Sequence, residues 1–327
     1  MSTGGVTQFG RACKLLVSNG NSALDLSEFR IQFQVHGTDL PTPNMAQIRV
    51  YNLAASTVAG IINGYNSVLL QAGYNENFND IFKGTIVRFK RGREVNVDSY
   101  LDLIAADGDE GYNFGVISQS FAAGSHVSAQ VDALAASMGL TVDPKVYDAL
   151  NNPNAMPAGG VLLRGKALYG MSRLNLNQIA YSCQARWSIQ NGVLTFVPLT
   201  GYLSGDAVVI NSQTGMIGVP EATDNGITVR TLLNPLIRIG CRVRLNESDV
   251  ARYPGLSGGY LQNSNGGVYG KGKIDPFFPA FTTTDGFYRV MAVDHDGDTR
   301  GQNWYSNMIC LAVDSTQPAV DSVEAYE

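Results

Sequence analysis

The group of residues nearest to a metal site is Asp294-His295-Asp296-Gly297-Asp298. A calcium loop of EF-hand type needs Gly at its sixth position and Glu at its twelfth; counted from Asp294, those positions hold Thr299 and Tyr305. The segment reads instead as an Asp296-Gly297 hairpin turn joining a strand through Tyr288 to one through Trp304. A second group, Asp107, Asp109 and Glu110, offers carboxyls for glycosidase chemistry, which requires two of them at a defined separation. Set beside Gly108 and Gly111, they read as a solvated domain junction. His36, His126 and His295 fall in different thirds of the chain, and neither G-x-S-x-G nor H-E-x-x-H occurs. Gly159-Gly160 and Gly165-Lys166 do not have the spacing of a phosphate loop. Cys13, Cys183, Cys241 and Cys310 are far apart, with no C-x-x-C pair, so they read as free buried thiols rather than zinc ligands. No catalytic residue, cofactor or metal is expected.

Composition points the same way. Charged residues make up 16% of the 327, Gly accounts for 36, and the net charge is −5. Low charge with abundant Gly suits short strands, tight turns and surface committed to partners. The one basic stretch holds Lys83, Arg88, Lys90, Arg91 and Arg93, and reads as a solvated face or a contact with an acidic partner. Stable sequence-specific nucleic-acid binding is not expected from so few cations. No run of about 18 apolar residues occurs, so no membrane span is expected, and no secretory signal is visible.

Residues 1–110 read as strands with one helix. Phe29, Ile31, Phe33 and Val35 alternate with Arg30, Gln32 and Gln34, the period of a half-buried strand. Residues 11–18, 46–53, 68–74, 81–89 and 98–106 read likewise, with a helix from Ser56 to Ile62. Six strands predict a closed or nearly closed barrel. Residues 111–200 read as an α+β domain. A helix capped by Ser125 is stopped by Gly139, and a short helix follows Asp143-Pro144. A third helix is predicted from Lys166 to Cys183, then a hairpin from Arg186 to Val197 turning at Asn191-Gly192 in type I′ geometry. Residues 201–314 return to strands: 208–210, 226–230, 237–245, 286–295 and 303–313. Trp187 and Trp304 are expected as core anchors. Within this last region, 253–284 reads as a long Gly-rich loop, and 315–327 as an acidic, flexible tail. The fold class is therefore mainly β with an α+β middle domain: two tube-like β-barrels flanking helices packed on a small sheet.

Several runs carry a resemblance. They are Thr214 to Pro235, Gly286 to Gly301 with Trp304, Phe29 to Phe33, and Gly165 to Met171 continuing to Trp187-Ser-Ile-Gln-Asn-Gly192. In pattern and order, over about residues 8–313, the chain resembles the hub proteins of tailed-bacteriophage baseplates. The resemblance implies a structural, non-enzymatic homotrimer in the virion tail baseplate, assembled in the host cytoplasm. Each subunit would contribute two barrels, adapting a sixfold tail tube to a threefold tip spike around a central channel for DNA. Expected partners are the tail tube protein, the tip spike protein, and baseplate wedge or tape-measure components. Candidate contact residues are Asn151, Pro153 and Pro157 in one loop, and Tyr260, Tyr269, Phe277, Phe278 and Phe281 in the other. The alternatives are a tail-associated cell-wall hydrolase using the Asp107 group, and a receptor-binding tip module.

Overall fold

A computed structural model describes residues 9–94, 97–150, 160–199, 201–223, 226–245 and 286–312. The first region contains β1 (Arg11–Ser18), β2 (Ala23–Asp25), β3 (Ile31–Thr38), β4 (Met45–Tyr51), α1 (Ala55–Gly64), β5 (Ser67–Tyr74), β6 (Asn77–Glu94) and β7 (Asp98–Ala106). The middle region contains α2 (Asp109–Phe114), β8 (Val116–Phe121), α3 (Val127–Ser137), β9 (Thr141–Val142), α4 (Lys145–Leu150), β10 (Lys166–Met171), α5 (Ser172–Ser182), β11 (Ala185–Gln190) and β12 (Val193–Pro198). The last region contains β13 (Val208–Ile210), β14 (Glu221–Thr223), β15 (Gly226–Leu232), β16 (Arg242–Leu245), β17 (Gly286–Asp298) and β18 (Trp304–Ala312).

The mainly β class holds, but the strands of the first and last regions form one 13-stranded sheet, ordered β14-β15-β18-β17-β3-β4-β7-β6-β5-β1-β2, with β16 also paired to β17 and β13 to β16. No closed barrel is found among the described residues. A barrel of the first region would need β3 to pair back onto its own first strands. That edge of β3 is taken by β17, from Ala292↔Thr38 to Asp298↔Gln32.

Period-two alternation decides which side of the sheet is buried. Ile31, Phe33, Val35, Ala46, Ile48, Val50, Leu101, Leu103 and Ala105 face a core that α1 joins through Ile61. Each such aliphatic, removed from water, contributes about 2 kcal/mol. Leu233 and Trp304 of the last region complete the same core. The middle region has its own core, where Val131 and Leu134 of α3, Leu176 and Ile179 of α5, and Trp187, Ile189, Leu194 and Phe196 of the β11–β12 hairpin meet. A third cluster joins Ile227, Val229, Val243, Val290, Val293, Met308 and Cys310.

Four local expectations are corrected. Lys166–Met171 is a strand antiparallel to β8 rather than the start of a helix. Gly170 at φ +93° breaks helical geometry, and the helix begins only at Ser172, whose N–H donates to Gly115 O at 2.9 Å. The cap of α3 is His126 rather than Ser125; its ring accepts from Ser128 N. Asp296-Gly297 is not a turn, because β17 runs on to Asp298 and the chain reverses over 299–303. Of the strand expected over 237–245, only Arg242–Leu245 is extended, since Gly240 sits at φ +77°. The Asn191-Gly192 turn is as expected, with φ of 57° and 81° at its two residues, the type I′ signature.

Candidate functional site: the polar face of the long sheet

The residues that alternate with the core line the opposite face of the sheet. β17 places Asp294, Asp296 and Asp298 there, β3 places Gln32, Gln34 and His36, β4 places Gln47 and Arg49, and β7 places Asp102. β18 and β15 add Tyr305, Asn307 and Arg230. At the far side β6 adds Arg88 and Lys90, which pair with Ile104 and Asp102. Acids thus gather on β17 and cations on β6, with amides between them.

These side chains are tied across strands. Arg30 Nη2 and Gln32 Nε2 each donate to Asp298 Oδ2 at 2.8 Å. The Tyr51 hydroxyl lies 2.8 Å from Gln32 Oε1 and 2.7 Å from Glu94 Oε2. Arg49 grips Asp102 with two bonds, 2.6 and 3.0 Å, and its guanidinium stands 3.9 Å from the Tyr100 ring centre. Asn307 Nδ2 donates to Asp296 Oδ2 at 3.2 Å, His36 Nδ1 meets Asp294 Oδ1, and Arg230 lies 4.2 Å over Tyr305. Burial pushes the Asp298 carboxyl up, but bonds from Arg30, Gln32 and Arg300 N outweigh it and hold the group at about 2. Burial raises Asp296, against a bond from Gln34 and with the neighbouring Asp294 charge adding to the rise. Charges of both signs thus share this face, with Asp102 and Asp298 buried against their arginine partners.

Of the groups that the sequence offered for chemistry, His36 and the carboxyls of Asp294, Asp296 and Asp298 lie on this face, while the Asp107 group and the other two histidines lie elsewhere. Asp107 is buried, at 1% exposure, rather than solvated; it accepts from Asn191 N and Gly192 N at the hairpin turn. Burial pushes its carboxyl up to about 6, against the pull of those two N–H groups. Asp109, on α2, instead accepts from Asn113 Nδ2 at 2.8 Å. His36 lies on the polar face, His126 at the head of α3, and His295 inside, 2.8 Å from Ser306 Oγ. Among the described residues no set of three His, Cys, Asp or Glu is placed to hold a metal. Asn151, Pro153, Pro157, Tyr260, Tyr269, Phe277, Phe278 and Phe281 lie outside the described residues. The polar alternation was visible in each strand separately. That it forms one face depends on the β17–β3 pairing, for which no local signal exists.

A family model described as baseplate hub gp41 matches residues 43–261. Among solved structures, the chain is similar to the tail protein from Neisseria meningitidis MC58, with 11% identity, a TM-score of 0.54, and 92% of this chain and 96% of that one covered. It is also similar to the 43 kDa tail protein of prophage MuSo2 from Shewanella oneidensis, with 6% identity, a TM-score of 0.48, and 92% and 98% covered. No curated protein matches the chain.

Proposed function

The chain belongs to the baseplate hub gp41 family, a structural part of the phage tail baseplate, and we propose that it forms a trimeric ring there, joining a sixfold tail tube to a threefold tip spike around a bore for DNA. The observation that carries this reading is the β17–β3 seam, which makes two four-stranded halves continuous.

The halves are β14-β15-β18-β17 and β3-β4-β7-β6, and every pairing in this run is antiparallel. Strand directions therefore alternate from β14 to β6, so the two outer strands run oppositely. When copies are arranged head to tail about a common axis, β6 of one meets β14 of the next antiparallel, the same polarity as the internal seam. β6 offers an edge for this. Beyond Ile86 it pairs with β7 alone among the described residues, leaving the other side of 87–94 open. Such head-to-tail contacts close into a ring when each step turns by 120°. Six similar wall segments then come from three chains, and the polar face is the side suited to a water-filled bore.

On this reading the first barrel-like unit is residues 1–110, the α+β domain 111–200 and the second unit 201–314, with both units left open as wall segments. The loops holding Asn151, Pro153 and Pro157, and Tyr260, Tyr269, Phe277, Phe278 and Phe281, are proposed contacts with the tube, spike, wedge or tape-measure proteins. We assign no catalytic activity.

Electron microscopy of assembled tails tests the reading. Three copies should surround the bore with Gln34, Gln47 and Asp296 facing it. A ring with those residues outermost, or with six copies, would overturn the assignment.

A further inference from the structure

The three apolar clusters share no residue, and the joint between the middle region and the long sheet is built largely from polar contacts, with an apolar contact of Val197 and Leu203 at Gly240 beside them. On one side Asp107 holds the Asn191-Gly192 turn, with 2.8 Å to Gly192 N, and Asn191 Oδ1 accepts from Lys83 N at 3.0 Å. Asn44 Nδ2 donates to Ile189 O at 2.9 Å, and Gln190 Nε2 donates to Thr38 O at 3.1 Å. On the other side the Asp39 carboxylate lies 3.3 Å from Arg186 and 3.7 Å from Arg289. Arg289 Nη1 donates to Leu199 O and Gly201 O, both at 3.1 Å. Between the two sides is a cleft of about 500 Å³ whose walls include Lys83, Asp107, Gln190, Arg238 and Val293, drawn from all three regions.

The chain enters the middle region through Gly108, at φ +66°, and leaves it through 201–207, which forms no regular element. Hydrogen bonds exchanged for water cost little net free energy, whereas exposing an apolar core costs a great deal. Opening at this joint breaks mainly the first kind of contact and, apart from Val197 at Gly240, spares the second. It is therefore the cheapest large opening available to the fold.

We propose that the middle region is a hinged body, latched to the sheet on one side by the bonds of Asp107 and Asn44 to the 189–192 turn, and on the other by those of Asp39 to Arg186 and of Arg289 to Leu199 O and Gly201 O. It swings away as a unit about Gly108 and 201–207 while all three clusters stay packed. This inference does not depend on the hub reading.

Amide hydrogen exchange on the full-length protein tests it. The amides of Lys83, Asn191 and Gly192, which belong to opposite sides of the joint, should exchange at least about tenfold faster than those of Val35 and Val293 in the seam, with little dependence on low urea. A double variant, Asp107→Ala with Asn44→Ala, should speed the same amides about tenfold again, leave the seam unchanged, and raise the radius of gyration measured by small-angle scattering. The proposal is overturned if joint and seam amides exchange at one rate with one urea dependence, or if a folded double variant keeps the wild-type radius. Should the double variant fail to fold, the wild-type exchange comparison decides alone.

Discussion

Phe33 and Trp304 meet edge to face, with ring centres 5.5 Å apart and planes at 73°. One belongs to the first region and the other to the last, yet both are buried in one core. Gly297 makes room for the pair, because a Cβ at that position would collide with the Phe33 ring. Arg11 closes the site from outside, its guanidinium 5.7 Å from the Trp304 ring centre and donating to Gly301 O at 2.7 Å and Gln302 O at 3.1 Å.

Trp304→Ala should therefore cost about 3–5 kcal/mol of unfolding free energy in a urea titration. Gly297→Ala, a far smaller change, should still cost about 1–3 kcal/mol through overpacking against Phe33. If Gly297→Ala melts like the wild type, the rings are not packed as described.

Two buried groups should set opposing pH dependences. Burial drives His295 down to about 4, against the neighbouring Asp294 charge, so its contribution to stability is full above the ordinary histidine pKa of about 6.5 and is lost as pH falls through 4. Asp107 is raised to about 6, so its contribution is full below the ordinary carboxyl pKa of about 3.9 and is lost as pH rises through 6. Between pH 4 and 6.5 the two oppose each other. Asp107→Asn should make stability fall more steeply with acid across that window, and His295→Gln should make it fall less or rise. Melting temperatures at half-unit pH steps measure both.

Removing the Arg289 guanidinium leaves the Asp39 carboxylate, at 3% exposure, with Arg186 as its remaining cation, and takes the donor from the carbonyls of Leu199 and Gly201. Arg289→Ala should cost about 3 kcal/mol. Arg289→Lys should not restore it, since an ammonium cannot span the carboxylate and the carbonyls in one plane. Chemical denaturation of the three proteins decides.

The open edge of β6 carries Arg88, Lys90 and Arg91, all exposed, and a register shift leaves Val87 unpaired at 55% exposure. Replacing the three cations by Glu should leave circular dichroism and melting nearly unchanged while weakening self-association. Light scattering should then shift from the mass of the proposed trimer, about 105 kDa or three times the 35.1 kDa chain, toward the single chain. An unaltered trimer would exclude this edge from the ring contact.

Much of the fold was legible residue by residue. Ile31, Phe33 and Val35 alternate with Gln32, Gln34 and His36, and that period alone determines a half-buried strand and its polar side. Asn191-Gly192 determines a type I′ turn because both residues tolerate positive φ. Lys166–Met171 was not legible: its residues suit a helix, and only pairing with Val116–Phe121 makes it a strand. Nor was the burial of Asp107 legible, since it depends on a turn 84 residues away. The joining of β17 to β3 is of the same kind. Backbone hydrogen bonds between residues some 260 positions apart leave no trace in side-chain order, so tertiary structure alone decided that two strand-rich ends would form one sheet with one polar face.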